Sequence, residues 1–214
     1  MRAEKKQEID MGVLSSSVSI TGYKIDGKLE DPVMETMEKK LKQHTIMEID
    51  EEVSEKAIGW TSLENPYEPD FDGASFCIGT YMVFALRIDQ KSIPSKVLKK
   101  YYTLEMSKLL SESGRKYLNK TEKRMVKDRV YSILLRRYPA TPKVYDLIWN
   151  YEEGFLWFFS NQKSANEELE TLFSKTFQLS MIRLFPYTIA DLDTGLSDSE
   201  REQVNKLSPT RFSE

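Results

Sequence analysis

Residues 93–138 read IPSKVLKKYYTLEMSKLLSESGRKYLNKTEKRMVKDRVYSILLRRY and predict a hairpin of two helices. Pro94 suits the start of a helix, because its backbone dihedral is already helical and its missing N–H would have no partner there. Gly114 is typical of a helix end, since glycine adopts the left-handed conformation without strain. The first helix is therefore expected to run from Pro94 to about Ser111.

The second helix of the hairpin is expected over 120–136. Asn119 precedes Glu122 by three residues, which is the spacing of a capping box. Pro139 and Pro142 follow the helix and prevent its continuation. Its expected buried side chains recur at helical spacing and are Val126, Val130, Ile133 and Leu134. The pattern predicts an amphipathic helix packed on the first one.

The hairpin also concentrates positive charge. Residues 91–143 hold 15 Lys and Arg against 4 Asp and Glu, a net charge of +11, whereas the whole chain carries −3, which leaves −14 for the remainder. Acidic residues are densest from Glu30 to Asp72. A basic block in an acidic protein indicates an anionic partner for that block. The alternative is two solvated helices with lysine-rich outer faces.

Strand patterns flank the hairpin on both sides. Apolar and β-branched patterns predict strands at 13–25, 57–63, 76–88, 144–149, 155–159 and 179–185. Further helices are predicted at 31–43, 164–176 and 197–207. The order predicts an α+β fold with two antiparallel sheet-and-helix halves, β-α-β-β and β-β-α-β, joined by the basic hairpin. The expected divisions are 11–90, 91–142, 143–190 and a polar tail, 191–214.

Composition limits the classes of function. The chain has 214 residues with one cysteine, Cys77, and one histidine, His44, so an internal disulfide and multi-cysteine or multi-histidine metal sites are excluded. No apolar run is long enough to span a membrane, and residues 1–10 do not resemble a secretory signal. Walker, GxGxxG and GxSxG motifs are absent. We expect no cofactor and a location in the reducing cytoplasm.

A metal-dependent nuclease is one alternative function. Pro69-Asp70 followed by Asp89-Gln90-Lys91 fits the permissive PD…(D/E)xK pattern, in which carboxylates hold a divalent metal and a lysine assists the attacking water. Chance matches are expected in a chain with 34 acidic and 31 basic residues. Asp70, Asp89 and Lys91 are the residues that this alternative requires.

A nucleic-acid-binding interpretation uses the basic hairpin. Lys120, Lys123, Arg124 and Lys127 fall within one broad helical face. Lysines along a helix bind phosphates without reading sequence. Tyr138 follows two arginines at the predicted helix end, where an exposed ring could stack or wedge against a nucleic acid. The alternative is a tyrosine that packs on the hairpin.

Several motifs fall at intervals that match a known family. Within the hairpin they are Ile93-Pro94-Ser95-x-Val97-x-Lys99, Arg115-Lys116-x-Leu118-x-Lys120-Thr121-Glu122-Lys123, Lys127-Asp128-x-Val130 and Leu134-Leu135-x-Arg137. Outside it they are Gly59-Trp60, Trp149, Gly154, Ser164-Ala165 and Pro186. With these motifs the sequence resembles the RdgC family of recombination-associated DNA-binding proteins.

The resemblance implies an α+β protein without catalytic activity. It implies a ring-like dimer that admits duplex DNA, binds it with little sequence preference and restrains recombinase filaments. It also implies that the hairpin forms one dimer contact with a basic-aromatic pair at its tip, for which Arg137 and Tyr138 are the nearest matches. Typical members extend well beyond the matched region, so a short member lacking the C-terminal part is expected.

The first hypothesis is therefore a non-enzymatic, cytoplasmic and nucleoid-associated protein that binds double-stranded DNA and modulates homologous recombination. A homodimer and a recombinase partner are expected. The predicted DNA contacts are Lys99, Lys116, Lys120, Lys123, Arg124, Lys127, Arg136, Arg137 and Tyr138. A third alternative is a protein-interaction module that docks the basic hairpin on an acidic surface and engages a partner through Leu207 to Phe212.

Overall fold

The strands and helices of the fold follow one another in nearly the predicted order. It is seen in a computed structural model that describes residues 12, 13, 15 and 17–207. In chain order the elements are β1 (Thr21–Asp26), α1 (Val33–Gln43), β2 (Lys56–Thr61), β3 (Cys77–Ile78), β4 (Tyr81–Gln90), α2 (Ser95–Ser113), α3 (Lys120–Leu135), β5 (Thr141–Asn150), β6 (Phe155–Phe158), α4 (Lys163–Phe177), β7 (Ser180–Arg183), α5 (Pro186–Thr194) and α6 (Asp198–Lys206). The predicted α+β class is confirmed.

Three elements differ from the sequence patterns. β1 begins at Thr21, although alternation predicted a strand from residue 13. Pro142 lies inside β5 as its second residue, a place where a strand tolerates the missing N–H. α5 was not predicted; Pro186 occupies its first turn, and the Phe185 N–H donates to Thr188 Oγ1 at 2.6 Å. Its local signals are those of a normal helix start.

The strands form a seven-stranded sheet in the order β2-β4-β5-β6-β1-β7, with β3 paired to β4. β1 pairs antiparallel with both β6 and β7, so that Tyr23 lies opposite Leu156 on one side and Arg183 on the other. β2 pairs antiparallel with β4, and Trp60 lies opposite Leu86. Along each strand, successive side chains alternate between the two faces of the sheet, as the strand period requires.

The chain divides into two compact units, and β4 and β5 each contribute residues to both. The first unit comprises Met1–Lys40, Asp72–Phe84 and Tyr145–Glu214. Its core contains an aromatic cluster in which the Trp149 ring lies 5.2 Å from Phe173 and 5.5 Å from Phe177, centroid to centroid. Rings at such distances and tilts add to the stabilisation from their buried area.

A polar network completes the first unit. The buried Tyr23 hydroxyl donates to Asn166 Oδ1 at 2.6 Å and lies 3.0 Å from Glu170 Oε1, which also accepts from Arg183 Nη2 at 2.6 Å. Burial, followed by the bond and charge of Glu170, raises the pKa of Tyr23 above its ordinary range. The phenol therefore stays protonated and acts as a structural donor.

The second unit comprises Leu41–Phe71 and Ala85–Val144 and contains the hairpin. Gly59 lets the chain after α1 approach β2: a Cβ at Gly59 would lie 2.4 Å from the backbone of Ile46. The Ile46 N–H donates to the Trp60 carbonyl at 3.0 Å, and the Trp60 N–H donates to the His44 carbonyl at 2.9 Å. The Gly59-Trp60 pair thus has a packing explanation.

Candidate nucleic-acid interface

The hairpin has a small hydrophobic core of its own. Leu118, Val126, Val130 and Leu134 are buried. Partly buried side chains, mostly from α2, pack against them: Ile93, Val97, Leu98, Tyr102, Met106, Leu109, Leu110 and Tyr138. The predicted core is confirmed except for Ile133, which is exposed, while its neighbour Leu135 is buried. This core fixes which faces of α2 and α3 remain open to solvent.

The turn of the hairpin is formed as the sequence predicts. Gly114 caps α2 in the left-handed conformation at φ 63°. Asn119 and Glu122 form the capping box: the Glu122 N–H donates to Asn119 Oδ1 at 2.9 Å, and the Asn119 N–H donates to Glu122 Oε2 at 2.8 Å. Arg115 adds an ion pair to Glu122 at 2.9 Å. The Asn119 backbone bond, with Arg115 as a second cause, lowers the pKa of Glu122.

Lys91 holds the opposite end of the hairpin. Its side chain is 5% exposed, and Nζ donates to three carbonyl oxygens: Asp50 at 2.9 Å, Glu52 at 2.9 Å and Leu135 at 2.7 Å. An ammonium group has three donors, so all of them are used. Leu135 ends α3, where carbonyl oxygens lack helical partners and a cation is favourable. Lys91 therefore links the end of α3 to the acidic segment 50–52.

A buried ion pair between Arg87 and Asp89 lies in β4, just before Lys91. Arg87 donates to both carboxylate oxygens of Asp89, at 2.8 and 2.6 Å, and to Glu48 Oε1 at 2.7 Å. Asp89 is 1% exposed. Burial alone lowers the pKa of Arg87, but the bonds and charges of Asp89 and Glu48 outweigh it, and the net pKa is raised. Asp89 is thus the counter-ion of a buried guanidinium.

These contacts bear on the residues of the nuclease alternative. Asp89 forms an ion pair with Arg87, and Lys91 donates to three carbonyl oxygens. Asp70, in contrast, is exposed on the loop between β2 and β3. Among the described residues no group of three His, Cys, Asp or Glu side chains is placed to hold a metal ion. The structure therefore gives Asp89 and Lys91 structural partners.

The outer surface of the hairpin is lined with exposed cations. All eight basic residues of the predicted DNA-binding set are exposed: Lys99, Lys116, Lys120, Lys123, Arg124, Lys127, Arg136 and Arg137. Arg124 lies 3.8 Å from Asp128, both strongly exposed. In the described part of the chain the other seven make no ion pair within 4.0 Å. Their charge is therefore open to an outside anion.

Tyr138 lies at the end of α3, as the sequence pattern predicted, and not at the hairpin tip. The resemblance implied a basic-aromatic pair at the hairpin tip, but Arg137 and Tyr138 follow the end of α3, and the turn between the helices is residues 114–119. The N–H groups of both residues donate to the Leu134 carbonyl, at 2.9 and 3.0 Å, and thereby keep Tyr138 half-buried against the hairpin core. Its contact with DNA stays a prediction.

The tip instead carries an aromatic side chain that was not among the predicted DNA contacts. Tyr117 is 78% exposed and stands between Lys116 and the buried Leu118. The sequence signal for it is a tyrosine in the basic run between Gly114 and the capping box. The aromatic residue of the tip is therefore Tyr117.

A family model matches most of the chain, including the hairpin. The sequence model of a family described as "Putative exonuclease, RdgC" matches residues 19–192 of the 214. The chain belongs to the RdgC family. No curated protein matches the sequence.

The RdgC motifs of this chain occupy structural positions. Pro94 precedes α2, Asn119 to Glu122 cap α3, and Gly154 closes the turn before β6 with φ 68°. Ala165 is buried in the first turns of α4, and Pro186 begins α5. The glycine, proline, capping and apolar residues of the motifs therefore have structural roles in this RdgC chain. Six of the open cations also belong to the motifs, and together with Arg124 and Arg136 they form the candidate interface.

Two further predictions concern the ends of the chain and membranes. Of the proposed partner-binding tail, Leu207 is exposed and 208–212 lie outside the described residues, as do residues 1–10. None of the helices in the described ranges is long and apolar enough to cross a membrane.

Proposed function

We propose that this chain binds double-stranded DNA through the outer surface of the α2–α3 hairpin, with little sequence preference, and thereby modulates homologous recombination. The observation that carries the proposal is the set of exposed hairpin cations without an intramolecular partner in the described part of the chain. Membership in the RdgC family supports a DNA-related role. Binding is proposed to occur without cleavage.

The spacing of these cations suits a phosphate backbone. Lys120, Lys123 and Lys127 lie on one face of α3, and at ~1.5 Å of rise per residue they extend over ~10 Å along the helix. Along one strand of B-DNA, phosphates recur about every 3.4 Å of the helix axis. One face of α3 therefore covers about three phosphates of a strand. Such contacts position a protein on DNA and carry no sequence information.

The experiment is a comparison of two charge reversals of equal size. Lys123→Glu/Lys127→Glu alters the hairpin, and Lys28→Glu/Lys39→Glu alters exposed lysines in the first unit. Affinity for a duplex is measured by fluorescence anisotropy at low salt. We expect the hairpin pair to weaken binding at least about tenfold and the control pair to have a much smaller effect. Equal losses in both, or no binding by the wild type, would contradict the proposal.

A nuclease remains the second candidate, because the family description names an exonuclease. It is tested with the same duplex incubated with magnesium and then with a chelator. Our proposal predicts intact DNA in both. Magnesium-dependent shortening from the ends that Asp70→Asn abolishes would replace the binding proposal with the nuclease.

The role in recombination follows from occupancy of DNA. A protein that covers duplex phosphates competes with a recombinase filament for the same backbone. We propose a nucleoid-associated homodimer that limits filament access in this way. The proposal predicts that added protein slows recombinase strand exchange in vitro and that the Lys123→Glu/Lys127→Glu variant does not. Sedimentation of the free protein tests the dimer.

A further inference from the structure

Tyr117 is an aromatic ring displayed to solvent at the hairpin tip. At 78% exposure it is the most exposed large hydrophobic side chain among the described residues. Within the same residues its ring has no aromatic, cation–π or hydrogen-bond partner. Other tyrosines of this protein are used for packing, as Tyr23 and Tyr145 show by their burial. A ring held in water in this way is available to a ligand.

The turn that carries Tyr117 is fixed on both sides. On one side Gly114 caps α2, and Arg115 pairs with Glu122 at 2.9 Å. On the other side Leu118 is buried in the hairpin core, and Asn119 begins the capping box of α3. The backbone on both sides of Tyr117 is therefore ordered before a ligand binds, which reduces the conformational entropy lost on binding.

Lysines flank Tyr117 in the chain. Lys116 is adjacent in the chain and Lys120 is three residues on, and both are exposed without an ion pair in the described part of the chain. At the N-terminus of α3 the Glu122 N–H already donates to Asn119, so anion binding at the tip is expected to depend mainly on the lysine side chains. An aromatic platform between amines is the combination that binds single-stranded nucleic acid, with the ring on a base and the amines on phosphates.

We propose that Tyr117 stacks on an unpaired base, so that the hairpin tip prefers DNA containing unpaired bases over continuous duplex. The proposal rests on the proposed function and names the DNA structure that the same hairpin selects. In a paired duplex the faces of the bases are covered by their neighbours, and a wedge must first unstack them at a cost of about a few kcal/mol. At a bubble, gap or junction that cost is largely absent, and stacking adds directly to phosphate binding.

The test compares two DNAs with the same length, ends and phosphates. One is fully paired, and the other has a short central bubble containing 2-aminopurine, whose fluorescence falls when it is stacked. We expect the wild type to bind the bubble about tenfold more tightly, since one stacked base contributes about 1–3 kcal/mol. Tyr117→Ala should remove this preference and the quenching while leaving affinity for the paired duplex within about twofold.

Two variants control for other effects of the substitution. Tyr117→Phe retains the ring and should retain the preference, whereas Tyr101→Ala removes an exposed tyrosine from α2 and should behave as the wild type. Equal affinity of the wild type for both DNAs overturns this inference while leaving the proposed function intact. Failure of the wild type to bind either DNA overturns the proposed function. A change in the sedimentation mass of Tyr117→Ala, with the bubble preference unaltered, would assign the tip to protein contact and overturn the inference.

Discussion

Lys91 shows how a residue suited to catalysis in the sequence becomes a structural one in the fold. Asp89-Gln90-Lys91 fits a nuclease pattern because that pattern requires only residue types and spacing. In the structure Nζ is surrounded by the carbonyl oxygens of Asp50, Glu52 and Leu135. All three acceptors lie 39 to 44 residues away in the chain, so no local sequence pattern predicts them. The sequence could identify Lys91 as unusual but could not distinguish the two uses.

The stability of the second unit is expected to depend on Lys91. Lys91→Met keeps most of the side-chain volume but leaves three carbonyl oxygens, of which that of Leu135 is buried, without the lysine donor. We expect the free energy of unfolding to fall by about 2–4 kcal/mol. Urea unfolding followed by tryptophan fluorescence measures it. Lys96→Met, on the exposed surface of α2, is the control and should change stability by less than about 0.5 kcal/mol. A variant of Lys91 as stable as that control would contradict the assignment.

The hairpin is the element that the sequence predicted best. Its limits depend on local chemistry: the left-handed glycine at 114 and the Asn119–Glu122 capping box both formed as expected. For Tyr138 the sequence left open an exposed ring and a ring packed on the hairpin. The structure shows the packed arrangement, which depends on how the final turn of α3 lies on the hairpin core. β1 is shorter than its alternation predicted, since a strand also needs paired neighbours over its length. The ends of helices that depend on local capping residues were therefore predictable. The ends of strands that depend on tertiary partners were not.

The capping box is expected to make the stability of the hairpin decrease at acidic pH. The bonds from Asn119 and Arg115 lower the pKa of Glu122, so the ionised carboxylate favours the folded state. This contribution is complete above the unfolded pKa of about 4.3 and is lost as the pH falls through the lower, folded pKa. We expect the urea midpoint to decrease below about pH 4. Glu122→Gln retains an acceptor but cannot ionise, and should show a weaker dependence on pH.

The control for this measurement is Glu105→Gln on α2, a carboxyl with no ion pair or hydrogen bond in the described part of the chain. It should follow the wild-type pH dependence. If Glu122→Gln and the wild type lost stability in parallel over the acid range, the capping carboxylate would not be the group responsible.

The two ends of the hairpin differ in the charge beside them. At the base of the hairpin, the end opposite the 114–119 turn, Asp50 accepts from the Ala140 N–H at 2.8 Å. Burial, and after it the nearby Glu55 carboxylate, raises the pKa of the Tyr131 phenol. These carboxylates reduce the positive potential at the base. We expect Lys116→Glu/Lys120→Glu at the tip to weaken duplex binding more than Arg136→Glu/Arg137→Glu. Anisotropy titrations of the two variants with the same duplex measure the difference. A larger loss of affinity in the Arg136→Glu/Arg137→Glu variant would place the main DNA contacts at the base.

At the scale of the whole molecule, each compact unit is assembled from segments far apart in the chain. Local patterns give the type of each element but not which segments pack together. The charge distribution, in contrast, is additive along the sequence, and it was enough to indicate the candidate interface. Of the basic residues in 91–143, Lys91 is buried and Lys143 lies in β5, whereas the eight predicted DNA contacts are exposed on the hairpin. What the sequence could not provide was the degree of exposure of the Tyr117 ring, which depends on how the turn packs on the hairpin.

The central claim, that the hairpin binds DNA phosphates, is tested most directly by the salt dependence of duplex affinity. We predict that the logarithm of the affinity falls linearly with the logarithm of the salt concentration. We predict further that Lys123→Glu/Lys127→Glu makes the slope shallower by about 0.9 for each phosphate that the variant no longer binds. Lys28→Glu/Lys39→Glu should leave the slope as it is. Affinity that does not change with salt, or the same slope in the wild type and the hairpin variant, would contradict the claim.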